Sequence, residues 1–247
     1  EQAELTNHDV LRDGTTGIAY GSATGSTDAV LEFAQVLSMQ SIKGLNSTSY
    51  IRMMSHTAAV NIGVFFGISG RVIPTSSACT SGSQGIGYAY ETIKYGKQTV
   101  MIAGGAEELC PTEAAMFDVL YVASTRNAEP HSTPRPFDRD RDGLVVGEGA
   151  CTLIMEDLEH AQRRGAPILA EVIGFGTNSD GKHITQSNMD TMAMALKLAL
   201  IDADLPPSEI GYVNAHGTAT EHGDIAETRA TASVMGQRVP ISSLKSY

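Results

Sequence analysis

Short apolar runs alternate along the chain with longer stretches in which apolar residues recur every three or four positions, the spacings of strand and helix respectively. Residues 17–22 read as a strand entering a Gly/Ser/Thr turn, and 27–40 as a helix with apolar residues at helical spacing. Residues 49–67 read as a second, more apolar helix, 72–77 as a short strand and 81–95 as a helix. Residues 99–103 form a nearly all-apolar strand expected to end at Gly104 and Gly105; a run so short and apolar on both faces suits a buried parallel strand. Residues 125–143, with Pro130, Pro134 and Pro136, read as a charged loop. Beyond it the pattern predicts a strand over 151–155, a helix over 158–164, a strand over 168–175 and a helix over 189–201 ended by 202–207. It closes with a strand over 210–214, a helix over 225–235 and a strand over 239–242. Repeated βαβα order predicts an α/β protein with mainly parallel sheets, whose ligands sit at the carboxyl ends of strands.

Composition narrows the function classes. The chain has 247 residues, 42% hydrophobic and 18% charged, which is a globular composition rather than a disordered one. Its net charge is −11, from 28 acidic and 17 basic residues, and no Lys/Arg run supplies the basic face of a nucleic-acid binder. No stretch approaches the roughly 20 apolar residues that cross a bilayer, and the first residues lack the pattern of a signal peptide. Cys79, Cys110 and Cys151 are odd in number and form no CxxC pair, so neither a disulfide framework nor a cysteine zinc site is expected. A reducing cytoplasm is the expected compartment.

Two segments carry candidate chemistry. In Thr75-Ser76-Ser77-Ala78-Cys79-Thr80-Ser81-Gly82-Ser83 a strand ends and a helix begins. Free N–H groups and the helix dipole at such a point stabilise negative charge, which favours a thiolate. Gly82, Gly85 and Ala89 share one side of that helix and permit close packing. Cys110 is read as structural and Cys151 as core packing. In Val213-Asn214-Ala215-His216-Gly217-Thr218-Ala219-Thr220 an apolar strand again ends in a polar turn. An imidazole there can donate a hydrogen bond to a developing oxyanion or move a proton, and Thr218 and Thr220 offer hydroxyls to a polar ligand. Each segment also has a plainer account: a free cysteine is most often a small buried hydrophobe, and a turn histidine can be satisfied by nearby backbone. His8, His56, His131, His160, His183 and His222 have no comparable setting and read as surface or packing residues.

Taken together, the motifs resemble those of the β-ketoacyl-acyl-carrier-protein synthases of the thiolase-like superfamily. The resemblance runs in order through Ala78-Cys79-Thr80-Ser81-Gly82, Gly104-Gly105-Ala106-Glu107 and Ser124-Thr125-Arg126-Asn127. It continues through Arg135-Pro136-Phe137-Asp138, Arg141-Asp142-Gly143 and Gly147-Glu148-Gly149-Ala150. It ends with 214–220, Gly223-Asp224, Glu227 and Ile241-Ser242-Ser243-Leu244-Lys245-Ser246. Leu144 and Cys151 stand where the family more often has Phe and Gly.

The resemblance implies a thiolase-like layered αβαβα architecture with mainly parallel mixed sheets, incomplete in this chain. Residues 1–150 would hold the remainder of an N-terminal half with the nucleophile, and 151–247 the start of a C-terminal half with the first catalytic histidine. The whole enzyme would have roughly 400 residues, with a second catalytic histidine and a Gly-rich gating loop beyond Tyr247. The 247-residue piece alone is therefore expected to condense little or nothing.

By the same resemblance, Cys79 takes an acyl group from a phosphopantetheine thioester and His216 assists decarboxylation of malonyl-acyl carrier protein. Thr218 and Thr220 hold the pantetheine arm, and Lys245 orders the histidine environment. It implies no metal and no dissociable cofactor, acyl carrier protein as partner, a homodimer, and fatty-acid elongation as the pathway. Lys43 and Arg52 are candidates for docking the carrier protein, or plain solvated charges. The alternatives are a polyketide ketosynthase, a non-catalytic chain-length partner, which would typically lack the cysteine, and a papain-like hydrolase, whose Cys and His lie in other contexts.

Overall fold

A computed structural model describes residues 2–6, 8–182 and 186–246; His183 lies outside the described residues. In chain order the first elements are β1 (Thr16–Gly21), α1 (Thr27–Met39), α2 (Ser49–Met53), α3 (Thr57–Phe66) and β2 (Val72–Thr75). Next come α4 (Ser81–Lys94), β3 (Val100–Glu107), α5 (Pro111–Val119), β4 (Gly149–Glu156) and α6 (Leu158–Arg163). The last are α7 (Met189–Ala203), β5 (Val213–Asn214), α8 (Glu221–Met235) and β6 (Ile241–Ser242). The chain divides into two compact units, Glu1–Cys110 with Glu148–Val172, and Pro111–Gly147 with Ile173–Tyr247.

The first unit is built on a sheet of order β2-β1-β3-β4. Its first three strands are parallel and β4 runs antiparallel to β3. Because side chains alternate along a strand, each face gathers its own core. Ile18, Tyr20 and Ile102 meet Ala59, Ile62 and Phe66 of α3. Ala19, Met101 and Ala103 meet Ile86, Ala89 and Ile93 of α4. Ile18, Ala19, Met101 and Ala103 are fully buried. Burying a side chain the size of Ile18 or Met101 contributes about 1.5–3 kcal/mol, so these two faces fix the sheet between helices.

Small residues bring α4 down onto the sheet, as the 82/85/89 spacing predicts. A Cβ at Gly85 would stand 2.8 Å from the Ala19 carbonyl oxygen and 2.9 Å from that of Gly104. Both obstacles are backbone and cannot rotate away. Gly85→Ala is expected to destabilise the fold by about 1–3 kcal/mol through overpacking, seen as a lower urea midpoint at unchanged slope. An unchanged midpoint would mean that α4 can lift off without cost.

The second unit contains the parallel pair β5–β6, in register Val213↔Ile241 and Asn214↔Ser242. Helices α7 and α8 pack together in it.

Several expected elements differ. The helix expected over 49–67 breaks between Met53 and Thr57, where the Thr57 hydroxyl turns to the Ile51 carbonyl and the Met54 N–H bonds Ile51 as well. Local hydroxyl-to-backbone bonding of this kind competes with helix propagation. Strand β3 does not stop at Gly104 but runs to Glu107, because β4 pairs with it through Gly104↔Thr152 and Gly105↔Cys151. Gly104 has φ +150°, and a Cβ there would lie 2.0 Å from the Cys151 carbonyl oxygen. The glycines serve close approach within the strand rather than its termination.

No strand forms over 168–175: Leu169 is 81% exposed, and the Phe175 N–H donates to the Asp202 carboxylate at 3.0 Å rather than to a strand. The strands expected over 210–214 and 239–242 shrink to two residues each, and α8 starts four residues before the expected helix. Helix α5 was not anticipated, although Pro111 at its first position and Glu113 in its first turn are start signals. No helix among the described residues is long and apolar enough to cross a membrane.

Candidate active site

Cys79 lies on the five-residue turn between β2 and α4 and is exposed. Ala78 before it has φ +47°, a left-handed conformation that costs a non-glycine residue about 1–2 kcal/mol and persists only when its surroundings enforce it. Hydroxyls supply that enforcement. The Ser81 hydroxyl donates to the Ala78 carbonyl at 2.7 Å and accepts from the Ser77 N–H at 2.8 Å. Thr75 donates to the Ser81 carbonyl, and Thr80 to the Ser77 carbonyl, each at 2.8 Å. The Ser/Thr-rich composition of 75–83 is thus the brace of the turn, and it presents the sulfur just ahead of the first turn of α4.

The other two cysteines differ from each other. Cys110 is buried, consistent with a structural role. Cys151 is exposed rather than in the core, because β4 is the outer strand of its sheet among the described residues and its residues from Gly149 to Ile154 are exposed.

His216 follows β5 on a turn that Gly217 (φ +35°) and Ala219 (φ +61°) fold tightly. Two carboxylates of α8 hold that turn from below. Glu227 accepts the N–H groups of His216 and Gly217, each at 2.7 Å. Asp224, 2% exposed, accepts the N–H groups of Thr218 at 3.0 Å and Phe137 at 2.7 Å and pairs with Arg141 at 3.5 Å. Arg141 also donates to the carbonyls of Asp138, Thr220 and Glu221. Just after β6, the Ser243 hydroxyl donates to the Gly217 carbonyl at 2.9 Å and the His216 carbonyl at 3.2 Å.

Lys245 completes the site. Its ammonium lies 2.7 Å from the His216 carbonyl and 3.3 Å from the imidazole Nδ1. An ammonium has only donors, so Nδ1 must accept and the proton of a neutral imidazole must sit on Nε2. Although His216 keeps solvent access, burial of its ring among these neighbours and then the Lys245 charge push its pKa below the usual histidine range. Glu227 and Asp224 pull the other way without reversing the shift. Burial and the ammonium charge thus favour a neutral imidazole at neutral pH, and the Lys245 contact favours Nε2 as its proton-bearing nitrogen. The hydroxyls of Thr218 and Thr220 lie 2.9 Å apart. A Cβ at Gly223 would come within 2.5 Å of the Thr220 hydroxyl, so glycine keeps this corner open.

The structure places His216, Lys245, Thr218 and Thr220 together in the second unit, with Cys79 in the first. The buttressing by Asp224, Glu227, Phe137 and Arg141 carried no role in the sequence analysis. Its signal was present in the paired Arg-rich and Gly-Asp segments, but only the fold shows that the two segments meet. The Asp142 carboxyl is held below its usual range, against burial, by the hydroxyls of Ser124 and Thr133, the Thr125 N–H and Arg126, so the same loop is internally tied. Of the candidate docking cations, Arg52 is engaged by Glu32 at 2.8 Å, and Lys43 is exposed. His160 bonds Glu156, a carboxylate that Arg164 also grips at 2.7 Å through both nitrogens.

The chain matches the family models "Beta-ketoacyl synthase, N-terminal domain" over residues 1–161 and "Beta-ketoacyl synthase, C-terminal domain" over 169–247. It is 39% identical over 237 residues to a 3-oxoacyl-[acyl-carrier-protein] synthase 2 of Vibrio cholerae, covering 93% of this chain and 57% of that protein. Among solved structures, a β-ketoacyl synthase from Burkholderia phymatum superposes with TM-score 0.97 at 58% identity, over 98% of this chain and 60% of that one. A type II PKS acyl-carrier protein in complex with its ketosynthase matches with TM-score 0.87 at 32% identity, over 97% and 62%. The chain thus spans less than two thirds of the length of these relatives.

Proposed function

The chain belongs to the β-ketoacyl synthase family, and on that premise we propose that the intact protein joins an acyl group to malonyl-acyl carrier protein by decarboxylative Claisen condensation in fatty-acid elongation. The Cys79 thiolate attacks the carbonyl of an acyl thioester, the pantetheine thiol leaves, and an acyl-enzyme remains. Malonyl-carrier protein follows, its pantetheine arm held by the hydroxyls of Thr218 and Thr220. As the malonyl carboxylate departs as carbon dioxide, negative charge moves onto the thioester oxygen, and the His216 Nε2–H donates to it. The carbanion then attacks the acyl carbonyl on Cys79, the thiolate is expelled, and a β-ketoacyl chain longer by the malonyl-derived two-carbon unit leaves on the carrier. No step calls for a metal or a dissociable cofactor. The acyl carrier protein is the proposed partner, and the active assembly is proposed to be a homodimer.

The observation that carries this reading is the contact of Lys245 with Nδ1 of His216. It favours Nε2 as the donor, and a neutral donor is what an enolate needs, since an imidazolium would hand over its proton and quench the carbanion. The test is peptide mapping of the intact protein after incubation with a saturated acyl-carrier thioester: the acyl group is expected on Cys79, and on malonyl addition it should leave as the β-ketoacyl product. An acyl group on Cys110 or Cys151 would overturn the assignment. The likeness to a type II PKS ketosynthase supports a second reading, elongation of polyketide intermediates. Preference for β-keto over plain saturated acyl-carrier substrates would select it. The presence of Cys79 argues against a non-catalytic chain-length partner.

A further inference from the structure

Glu107 ends β3, and the carboxyl ends of β1, β2 and β3 lie side by side in the parallel part of the sheet. Its carboxylate grips the chain that leaves β1. It accepts the Ala23 N–H, the hydroxyls of Ser22 and Thr24 at 3.1 Å each, and the Thr24 N–H at 3.4 Å. The adjacent Glu108 accepts the N–H and hydroxyl of Thr27 at 2.6 and 2.7 Å. That capping falls in the first turn of α1, whose own N-cap, Ser26, makes no side-chain bond. Two consecutive carboxylates therefore hold consecutive parts of the segment 22–27 across the end of the sheet.

The clamped segment touches the Cys79 turn on both flanks. Before the cysteine, the Ser22 N–H donates to the Thr75 carbonyl at 3.2 Å, and the Ser76 hydroxyl donates to the Ala23 carbonyl at 3.4 Å. After it, Gly21 lies so close to Ser81 that a Cβ would stand 2.5 Å from the Ser81 carbonyl carbon. Ser81 is the same residue whose hydroxyl braces Ala78. Displacing 21–24 therefore displaces both ends of the turn that aims the sulfur.

We propose that Glu107 is a positioning residue for the nucleophile: by clamping Ser22, Ala23 and Thr24 it holds Ser76 and Ser81 in place and so sets the direction in which Cys79 presents its sulfur. The proposal rests on the reading of Cys79 as the acyl acceptor. Glu107→Gln keeps the size of the side chain. Its amide nitrogen must face either the Ala23 N–H or the side that now accepts the Thr24 N–H; the hydroxyls can turn to accept from it, but in either orientation one backbone N–H meets a donor, and the carboxylate charge is lost, which loosens the clamp.

The test uses the intact protein and two readouts on Cys79, alkylation by iodoacetamide and acylation by a saturated acyl-carrier thioester, both mapped by peptide mass. Exposed Cys151, in the same molecule, is the alkylation reference. In Glu107→Gln both Cys79 rates are expected to fall about tenfold, as misaligned reacting groups do, with the acylation loss in kcat rather than KM. Cys151 labelling and malonyl decarboxylation should hold within about twofold, and Ser76→Ala, which removes one of the two flanking contacts, should give part of the loss and add less than its full effect in the double variant.

Unchanged Cys79 labelling in Glu107→Gln overturns the proposal. So does a parallel fall at Cys151 with a lowered melting temperature, which would mark general loosening, and so does additivity with Ser76→Ala. Should the wild-type protein carry its acyl group on another residue, the nucleophile assignment falls, and the alkylation rates still decide whether Glu107 aims the Cys79 sulfur.

Discussion

Replacing Cys79 by Ser is expected to lower condensation by at least about 10³-fold, the scale on which covalent catalysis fails when its nucleophile is removed. A serine hydroxyl stays protonated at neutral pH and is a far weaker nucleophile than a thiol. The substitution is nearly isosteric at an exposed position, so the melting temperature should hold while acyl-enzyme disappears from the intact mass. Separating these two measurements matters, because Ser81, Thr75 and Thr80 already hold the turn and none of their bonds involves the sulfur. Undiminished condensation by Cys79→Ser would remove the nucleophile assignment, whatever the family resemblance.

The parts of the site that were legible in the sequence are those in which one short segment holds both the signal and its consequence. The turn around Cys79 is one: an apolar strand, a Ser/Thr-rich turn and a small-residue helix stripe sit within about twenty residues of each other, and the strand and helix appear at nearly the expected bounds. The turn around His216 is another. What escaped was everything that depends on remote contact.

Asp224 and Phe137 are far apart in sequence, and nothing local says that a buried carboxylate will accept a backbone N–H from a proline-rich loop. Gly104 and Gly105 looked like a strand end because glycine usually interrupts a strand; the pairing with β4 reverses that meaning. The apolar run 168–175 has the β-rich composition of a strand, but a strand exists only where a neighbouring strand takes its hydrogen bonds, and here the Phe175 N–H goes to the Asp202 carboxylate instead. The break at Met54 in the helix expected over 49–67 is a case of intermediate range, since Thr57 is visible as a polar competitor once its hydroxyl chemistry is weighed above the apolar count.

His216→Ala is expected to cut malonyl decarboxylation by about 10²–10³-fold, the loss typical of a missing oxyanion donor, while acylation of Cys79 from an acyl thioester proceeds. The division follows from the proposed roles, since His216 acts on the malonyl thioester and Cys79 on the acyl one. Loss of both half-reactions together would instead mean that the imidazole activates the thiol.

Lys245→Met gives the sharper test, because it keeps the bulk while removing the charge and the ammonium's donor contacts to Nδ1 and the carbonyl of His216. Two effects should appear. Nothing then pins the proton to Nε2, so the rate at neutral pH should fall by roughly tenfold, about 1–3 kcal/mol less than the loss of the donor itself. The histidine pKa should also rise, since the Lys245 charge is one of the causes of its depression. In the wild-type protein the neutral imidazole persists as pH falls through the ordinary histidine value of about 6.5, so the decarboxylation rate should stay level there and decline only below it. In Lys245→Met the acid limb should move upward in pH, toward that ordinary value. It should not return fully, because burial, the larger cause, is untouched by the substitution. An acid limb at the same pH in both proteins would mean that the ammonium does not set the protonation state of His216, and the choice of Nε2 as donor would lose its physical basis.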